Sequence, residues 1–297
     1  MAIKGEQRFF YASVVRSERI SPSLVRIVFG GAGLDDYVSN GAPDEAVALY
    51  FPNADEDRPP AMTLKDGDWA YHDDADDREG RNYTVRRWDA DAKEMTIDFV
   101  AHEGGIAATW ALKAKPGDTI GMWGPRAWYA PPTATTWQLL VADLTGLPAL
   151  ARAVEELPAG YPVKAIVEVI DEADKLPIET KADLTIDWHI SGNAHGPSKL
   201  ADAVRAVELP AGPGYVWFAG EAATSRDVRK YLRKERGFTN DQIEVIGYWR
   251  VRAEEWNKKY EAVEDELFSK YEDLVAKGVP EADVEEKWEE WLEEAGL

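Results

Sequence analysis

The hydrophobic pattern of this chain changes character once, around Pro131-Pro132-Thr133, and that change limits the folds open to it. Before it, short runs at 8–15, 24–29, 46–51, 81–88, 94–101 and 118–123 carry Phe, Tyr, Val and Ile between Gly, Pro and Asp. Short runs separated by turn residues predict an antiparallel barrel. After it, 137–142 and 163–170 are continuous apolar runs on either side of a helical pattern at 147–157. Strands buried on both faces and alternating with helices predict a parallel sheet. Residues 184–190, 204–207, 215–219 and 243–247 continue the series, with a helix at 224–235. The expected fold is α/β with an all-β N-terminal domain over 1–130, then a parallel-sheet domain over 131–249.

Beyond 250 the composition shifts to Glu, Lys, Trp and Leu. Trp256, Tyr260, Val263, Leu267, Tyr271 and Leu274 recur at steps of three and four, which predicts one amphipathic helix over 256–274. Lys277-Gly278 marks its stop, and Pro280 opens a second helix with Val284, Trp288, Trp291 and Leu292. This helical extension, 250–297, is expected to pack its stripe on the parallel-sheet domain or on a partner subunit, in a monomer or weak dimer. The acidic stretch 53–80, with Pro59-Pro60, reads as a long surface loop.

Lys and Arg number 34 against 55 acidic residues, a net charge of −21. That argues against nucleic acid, whose phosphates need a basic footprint, and against anionic lipid. The absence of cysteine excludes disulfides, cysteine zinc sites and cysteine-bound iron–sulfur clusters. His72, His102, His189 and His195 are scattered, so no metal site is expected. The first residues lack the apolar core of a signal peptide, and no apolar run is long enough to cross a bilayer. The expectation is a cytoplasmic protein without membrane insertion.

The most informative motif is Arg81-Asn82-Tyr83-Thr84-Val85-Arg86-Arg87. On a strand, Arg81 and Tyr83 share one face and Thr84 turns to the other. A guanidinium that grips a diphosphate, an aromatic that covers a ring and a small donor near a reactive nitrogen together suit a flavin dinucleotide. The same residues suit a packed barrel wall equally well. His102-Glu103-Gly104-Gly105 leads into a short helix, either an anion site or a turn. Asp143-Leu144-Thr145-Gly146-Leu147-Pro148 follows a strand and opens a helix, where ligands bind in open α/β sheets. Asp171, at the end of the next strand, can accept from a ribose 2′-hydroxyl and repels a 2′-phosphate, which favours NADH over NADPH; it equally reads as one more acid in an acidic loop.

Taken in order, Arg81-x-Tyr83-Thr84-x-Arg86, Asp98-Phe99-Val100-Ala101-His102, Gly105–Ala111, Asp143–Ala149, Trp217–Ala222 and Gly247-Tyr248-Trp249-Arg250 resemble the blocks of the siderophore-interacting protein family, flavin-dependent ferric-siderophore reductases of the ferredoxin-reductase-like superfamily. The resemblance implies an FAD-binding barrel and an NAD(P)H-binding domain. It assigns Arg81, Tyr83, Thr84, Phe99, Val100, His102, Gly105, Ala107, Ala108 and Thr109 to FAD, with Thr84 beside the reactive flavin nitrogen. It assigns Asp143, Thr145, Gly146, Asp171, Gly220, Glu221, Ala222 and Trp249 to the nicotinamide cofactor, NADH or NADPH. Ile106 and Ala108 stand where the family commonly has Pro and Ser, Leu144 where it has Glu, and Ala48 where many relatives carry Lys. Thr109 is one candidate to replace the lost hydroxyl, and Lys259 to replace the lost cation. The basic residues expected to collect an anionic ferric siderophore are Arg126, Arg250, Arg252 and Lys259, beside Lys258; each also reads as a solvated surface charge. Two alternatives remain: an NAD(P)H:acceptor flavin oxidoreductase working with ferredoxin or a small acceptor, and a flavin- or siderophore-binding protein with little turnover.

Overall fold

A computed structural model describes residues 3–65, 68–71, 78–102 and 104–297. The first half is built from β1 (Ile3–Ser21), β2 (Leu24–Gly30), β3 (Ala46–Tyr50), β4 (Met62–Lys65), β5 (Asp68–Tyr71), β6 (Arg81–Thr84), β7 (Arg87–Asp89), β8 (Glu94–Val100), α1 (Ile106–Ala111) and β9 (Thr119–Ala127). Seven of these strands form an antiparallel sheet in the order β6-β3-β9-β1-β2-β8-β7. Its inner face carries Phe10, Val14, Ile27, Phe29, Val47, Leu49, Ile97, Phe99 and Met122, all buried.

The strand expected at 81–88 is two strands, and they lie at opposite ends of the sheet order. The linking residues explain the break. Val85 N–H donates to the Glu45 carbonyl at 2.7 Å, whereas Arg86 N–H donates to the Thr96 carbonyl at 2.9 Å. Successive amides serve different edges, so this segment curls the sheet round and closes a barrel. The expected 53–80 loop contains the β4–β5 hairpin, whose β4 is mostly exposed and so leaves no apolar alternation in the sequence. Residues 66–67 and 72–77, with His72, and Glu103 lie outside the described residues. The strand expected at 118–123 continues past Gly124 and Pro125 to Ala127.

The second half comprises β10 (Trp137–Ala142), α2 (Leu147–Glu156), β11 (Pro162–Val169), β12 (Asp183–Ile190), α3 (Leu200–Ala206), β13 (Gly214–Glu221), α4 (Ala222–Lys230) and β14 (Ile243–Trp249). All strand pairs are parallel, in the order β12-β11-β10-β13-β14. The direction of winding reverses between β10 and β13, and the carboxyl ends of these two strands flank a ligand crevice. Residues 204–206 belong to α3, with Val207 as its C-cap, rather than to a separate element, because Leu200 and Val204 recur at helical spacing and are buried. A π turn over Tyr231–Glu235 extends α4.

Three helices follow: α5 (Ala253–Glu261), α6 (Glu264–Ala276) and α7 (Glu281–Glu294). The stripe expected to form one helix is divided at Ala262-Val263. It packs mainly on itself, with Leu267, Leu292 and Leu297 surrounded by Trp256, Tyr260, Val263, Trp288 and Trp291. Ion pairs at the edge of contact range, Lys230–Glu293 at 3.8 Å and Lys234–Glu290 at 4.0 Å, join it to α4 and the π turn. No helix among the described residues is long and apolar enough to cross a membrane.

Buried carboxylates fix the barrel against the parallel sheet. Asp44 accepts from Tyr129 N–H at 2.9 Å and Trp217 Nε1 at 3.4 Å. Glu45 accepts from the Tyr37 hydroxyl at 2.5 Å and lies 3.3 Å from Arg152 of α2, whose guanidinium also donates to the Val85 carbonyl at 2.8 Å. Asp174 accepts from the Ser21 hydroxyl at 2.7 Å, the Ser23 hydroxyl at 2.7 Å and Ser23 N–H at 2.9 Å. Carboxyl groups this deep are tolerated because each is supplied with several donors, at least one of them from across the seam: Trp217 for Asp44, Arg152 for Glu45, and Ser21 and Ser23 for Asp174.

Candidate flavin and nucleotide site

Strand β6 pairs with β3 in the register Ala46↔Thr84, Val47↔Tyr83, Ala48↔Asn82 and Leu49↔Arg81. Residues directly opposite share a face. Val47 and Leu49 line the barrel core, so Tyr83 and Arg81 have the inward parity, and Thr84 and Asn82 face outward. The Tyr83 ring lies 4.5 Å from Phe99, and burial pushes its hydroxyl pKa up to about 12. Phe99 is wholly buried, so its side chain has no surface to give a ligand; Val100 is half-buried at the end of the strand. Arg81, at the rim, pairs with the exposed Glu79 at 2.6 Å, a contact that an arriving diphosphate can replace.

Thr84 is 5% exposed, and its hydroxyl has no hydrogen-bond partner among the described residues. The Tyr248 hydroxyl, beyond β13 on the other half of the molecule, is equally unpartnered. It leans towards Thr84 without forming a hydrogen bond of ordinary geometry, and burial raises its pKa. Two buried hydroxyls left open across one seam are costly unless a ligand completes them.

Trp249, next to Tyr248, donates from Nε1 to Asp143 Oδ2 at 2.6 Å. Asp143 is 2% exposed and also accepts from Thr145 N–H at 2.8 Å and the Thr145 hydroxyl at 2.6 Å, while burial raises its pKa. The tip of β10 and the end of β14 are thereby tied together. Gly146 and Gly220 permit the approach: a Cβ on Gly146 would meet the Ala219 carbonyl at 2.5 Å, and one on Gly220 would meet Asp143 Oδ2 at 2.9 Å. A cavity of about 170 Å³ opens here, lined by Asp143, Glu168, Asn193, Ser198, Glu221 and Trp249 among others. Leu144 is buried in the core, and its N–H donates to Asn193 Oδ1 at 3.0 Å. Glu221 caps α4, accepting from Ala223 N–H at 2.7 Å, and Ala222 opens that helix. Asp171 caps its own short turn through Ala173 N–H at 2.8 Å, and is exposed.

At α1, Gly104 and Gly105 both hold φ 79°, and no side chain among the described residues caps the helix start. Ala107 and Ala108 face inward and are buried, whereas Thr109 and His102 are exposed. Thr109 is thus on the solvent side of α1, whereas Ala108, where the lost hydroxyl would sit, is on the core side. Of the basic residues, Arg126 lies on the outer barrel face, opposite Ala46, and bonds Asn82 Oδ1. Arg250 lies over the Trp256 ring at 4.0 Å. Arg252, at φ 55°, is exposed with Glu255 3.9 Å away, and Lys259 is exposed on α5. The cation sharing the face of Ala48 is thus Arg126, while Lys259 belongs to the tail surface.

The sequence reading missed Tyr248 as a site residue, and missed Asp44, Glu45, Arg152 and Asp174 at the seam. Arg152 alone left a trace: it is a single cation on an otherwise apolar helix face, Leu147-Pro148-Ala149-Leu150-Ala151-Arg152-Ala153-Val154.

Comparison with known proteins bears on this arrangement directly. Residues 13–129 match the siderophore-interacting FAD-binding domain, and residues 135–252 match the siderophore-interacting protein model. The chain belongs to the siderophore-interacting protein family. The chain is similar to a siderophore utilization protein from T. fusca, at 35% identity and TM-score 0.75, covering 85% of this chain and 96% of that one. It is 30% identical to the NADPH-dependent ferric-chelate reductase of Escherichia coli over 84% of this chain and 96% of the relative. It is 29% identical to the ferric vibriobactin reductase of Vibrio cholerae over 86% of this chain and 94% of the relative. Family members with the ferredoxin-reductase-like fold share the barrel and parallel sheet described above, and the fold extends to a ferredoxin reductase of a carbazole dioxygenase at 17% identity and TM-score 0.58.

Proposed function

We propose that this protein is a flavin-dependent ferric-siderophore reductase that uses NAD(P)H. The observation that carries the reading is the pair of buried, unpartnered hydroxyls of Thr84 and Tyr248 at the seam, beside Trp249 and the nucleotide cavity. In this reading 1–130 form the FAD-binding barrel, 131–249 the NAD(P)H domain and 250–297 a helical extension.

FAD fits the residues present. Arg81 can exchange Glu79 for a diphosphate, the uncapped start of α1 offers N–H donors, and Thr84 offers the missing hydrogen bond to the ring system. When bound, FAD supplies a two-electron acceptor that can release its electrons singly. Asp143, Thr145 and Gly146 shape the crevice for the nucleotide, and Trp249 screens the boundary between the crevice and the flavin cleft. Arg126 holds the anionic substrate on the outer barrel face. The balance is NAD(P)H plus two Fe(III) giving NAD(P)⁺, a proton and two Fe(II), which the chelator holds less tightly than the ferric ion. No side chain needs to act as acid or base on the metal, and the protein contributes position. The reading places the protein in the cytoplasm, where reduced nicotinamide is supplied.

The test is direct. Purified protein should take up FAD, be bleached anaerobically by NADPH or NADH, and produce trapped Fe(II) from a ferric chelate in a ratio of two per nicotinamide oxidised. A protein that takes up no FAD, or whose reduced flavin leaves every ferric chelate unchanged, ends the proposal.

A further inference from the structure

The outer face that carries Thr84 continues away from the seam. Across the register, Ala46 faces both Thr84 and Arg126, and Ala48 faces both Asn82 and Trp123. Thr84, Asn82, Arg126 and Trp123 therefore occupy one continuous outer surface. Neighbouring strands lie about 4.8 Å apart, so Asn82 and Trp123, on either side of Ala48, stand about 9.6 Å apart, which leaves room for a planar ring between them.

That surface has a specific composition. The Arg126 guanidinium sits between two indoles, 5.8 Å from the Trp123 ring and 5.6 Å from the Trp128 ring. Among the described residues it has no carboxylate within ion-pair distance, burial lowers its pKa, and its Nε is buried without a partner. Trp123 Nε1 is also buried and unpartnered. A half-buried guanidinium that bonds a neutral amide, Asn82 Oδ1, and no carboxylate among the described residues is unusual in a chain of net charge −21, where acids are abundant. The surface further along is already covered: Phe9, Tyr11, Tyr50 and Tyr71 pack together there, with Pro59 accepting from the Tyr11 hydroxyl at 2.8 Å. The small Ala48, 4% exposed, leaves the ground between the indoles and Asn82 level.

We propose that Trp123, Trp128 and Arg126 select ferric chelates whose ligands are anionic aryl rings, as in catecholates, over chelates of equal charge without rings. This rests on the reductase reading. A planar ring stacks on an indole face, and its oxygen anion accepts from the guanidinium. A ring-free chelate of the same charge gains only the contact to Arg126.

Redox-inert gallium complexes separate binding from turnover. Gallium(III) tris-catecholate and gallium(III) tris-oxalate carry the same charge, and only the first has rings. Titrated calorimetrically into the FAD-loaded full chain, the catecholate is expected to bind about tenfold tighter. Trp123→Leu and Trp128→Leu should each remove most of that preference, Trp123→Phe should keep most of it, and Arg126→Gln should weaken both complexes alike. FAD content and melting temperature of each variant confirm the fold. Equal affinity of the two complexes overturns the proposal, as does a preference that survives both Leu variants, or variants that lose FAD rather than the chelate. Iron reduction by the wild type, assayed alongside, judges the reductase reading separately: catecholate-selective binding without turnover would sink that reading and leave the aryl site standing.

Discussion

Thr84 and Asp44 show how a single buried polar atom reports its purpose. The Thr84 hydroxyl has no partner among the described residues, so deleting it costs the apo fold little. Thr84→Val should leave the apo melting temperature unchanged or slightly raised, yet weaken FAD binding about five- to tenfold, the value of one hydrogen bond. A matching loss of apo stability would show that the hydroxyl is structural. Asp44 is the converse case, supplied with donors but with no cation paired to it among the described residues, and burial raises its pKa. The fold therefore favours the protonated acid over the unfolded chain. That stabilisation is complete below about pH 4 and is lost as pH rises through the raised folded value. Asp44→Asn carries no such charge, so the melting temperature of the wild type relative to this variant should fall as pH rises above about 4. A difference that does not vary with pH would refute the assignment.

Among the elements, α2 does two jobs. Its start forms the crevice with Thr145 and Gly146, and its last turns hold Arg152 against Glu45 and the Val85 carbonyl. Arg152→Met would leave Glu45 short of its cation and should lower unfolding free energy by about 3–5 kcal/mol, read from denaturant midpoints. An effect below about 1 kcal/mol would mean that the seam is held elsewhere. Elements with a buried face were legible in the sequence: β10, β11 and β13 are predominantly apolar runs, and β1, β2, β3 and β8 alternate or carry dense β-formers. The β4–β5 hairpin was not, because β4 buries no face. Nor was the break between β6 and β7, since Val85 keeps the apolar alternation while its amide turns to another edge. The motif order pointed to Thr84, Asp143 and Trp249, but only geometry shows that Tyr83 and Phe99 meet inside the barrel. The seam acids were hidden by their number, being a few carboxylates among 55.

At the scale of the whole molecule, the barrel and sheet are bonded through buried groups, and the tail is attached by exposed ones. A chain ended after Arg252 should lose helical signal but keep its unfolding free energy within about 1 kcal/mol, since pairs such as Lys230–Glu293 are solvated. Collapse of the cooperative transition would instead make the tail part of the core. The joining of β6 to β7 through Val85 and Arg86 carries a further consequence for how the protein assembles. The segment that draws the two rims of the barrel together also delivers Thr84 to the seam. Barrel closure and the cofactor's berth therefore share one stretch of chain, and a substitution that loosens the first reaches the second.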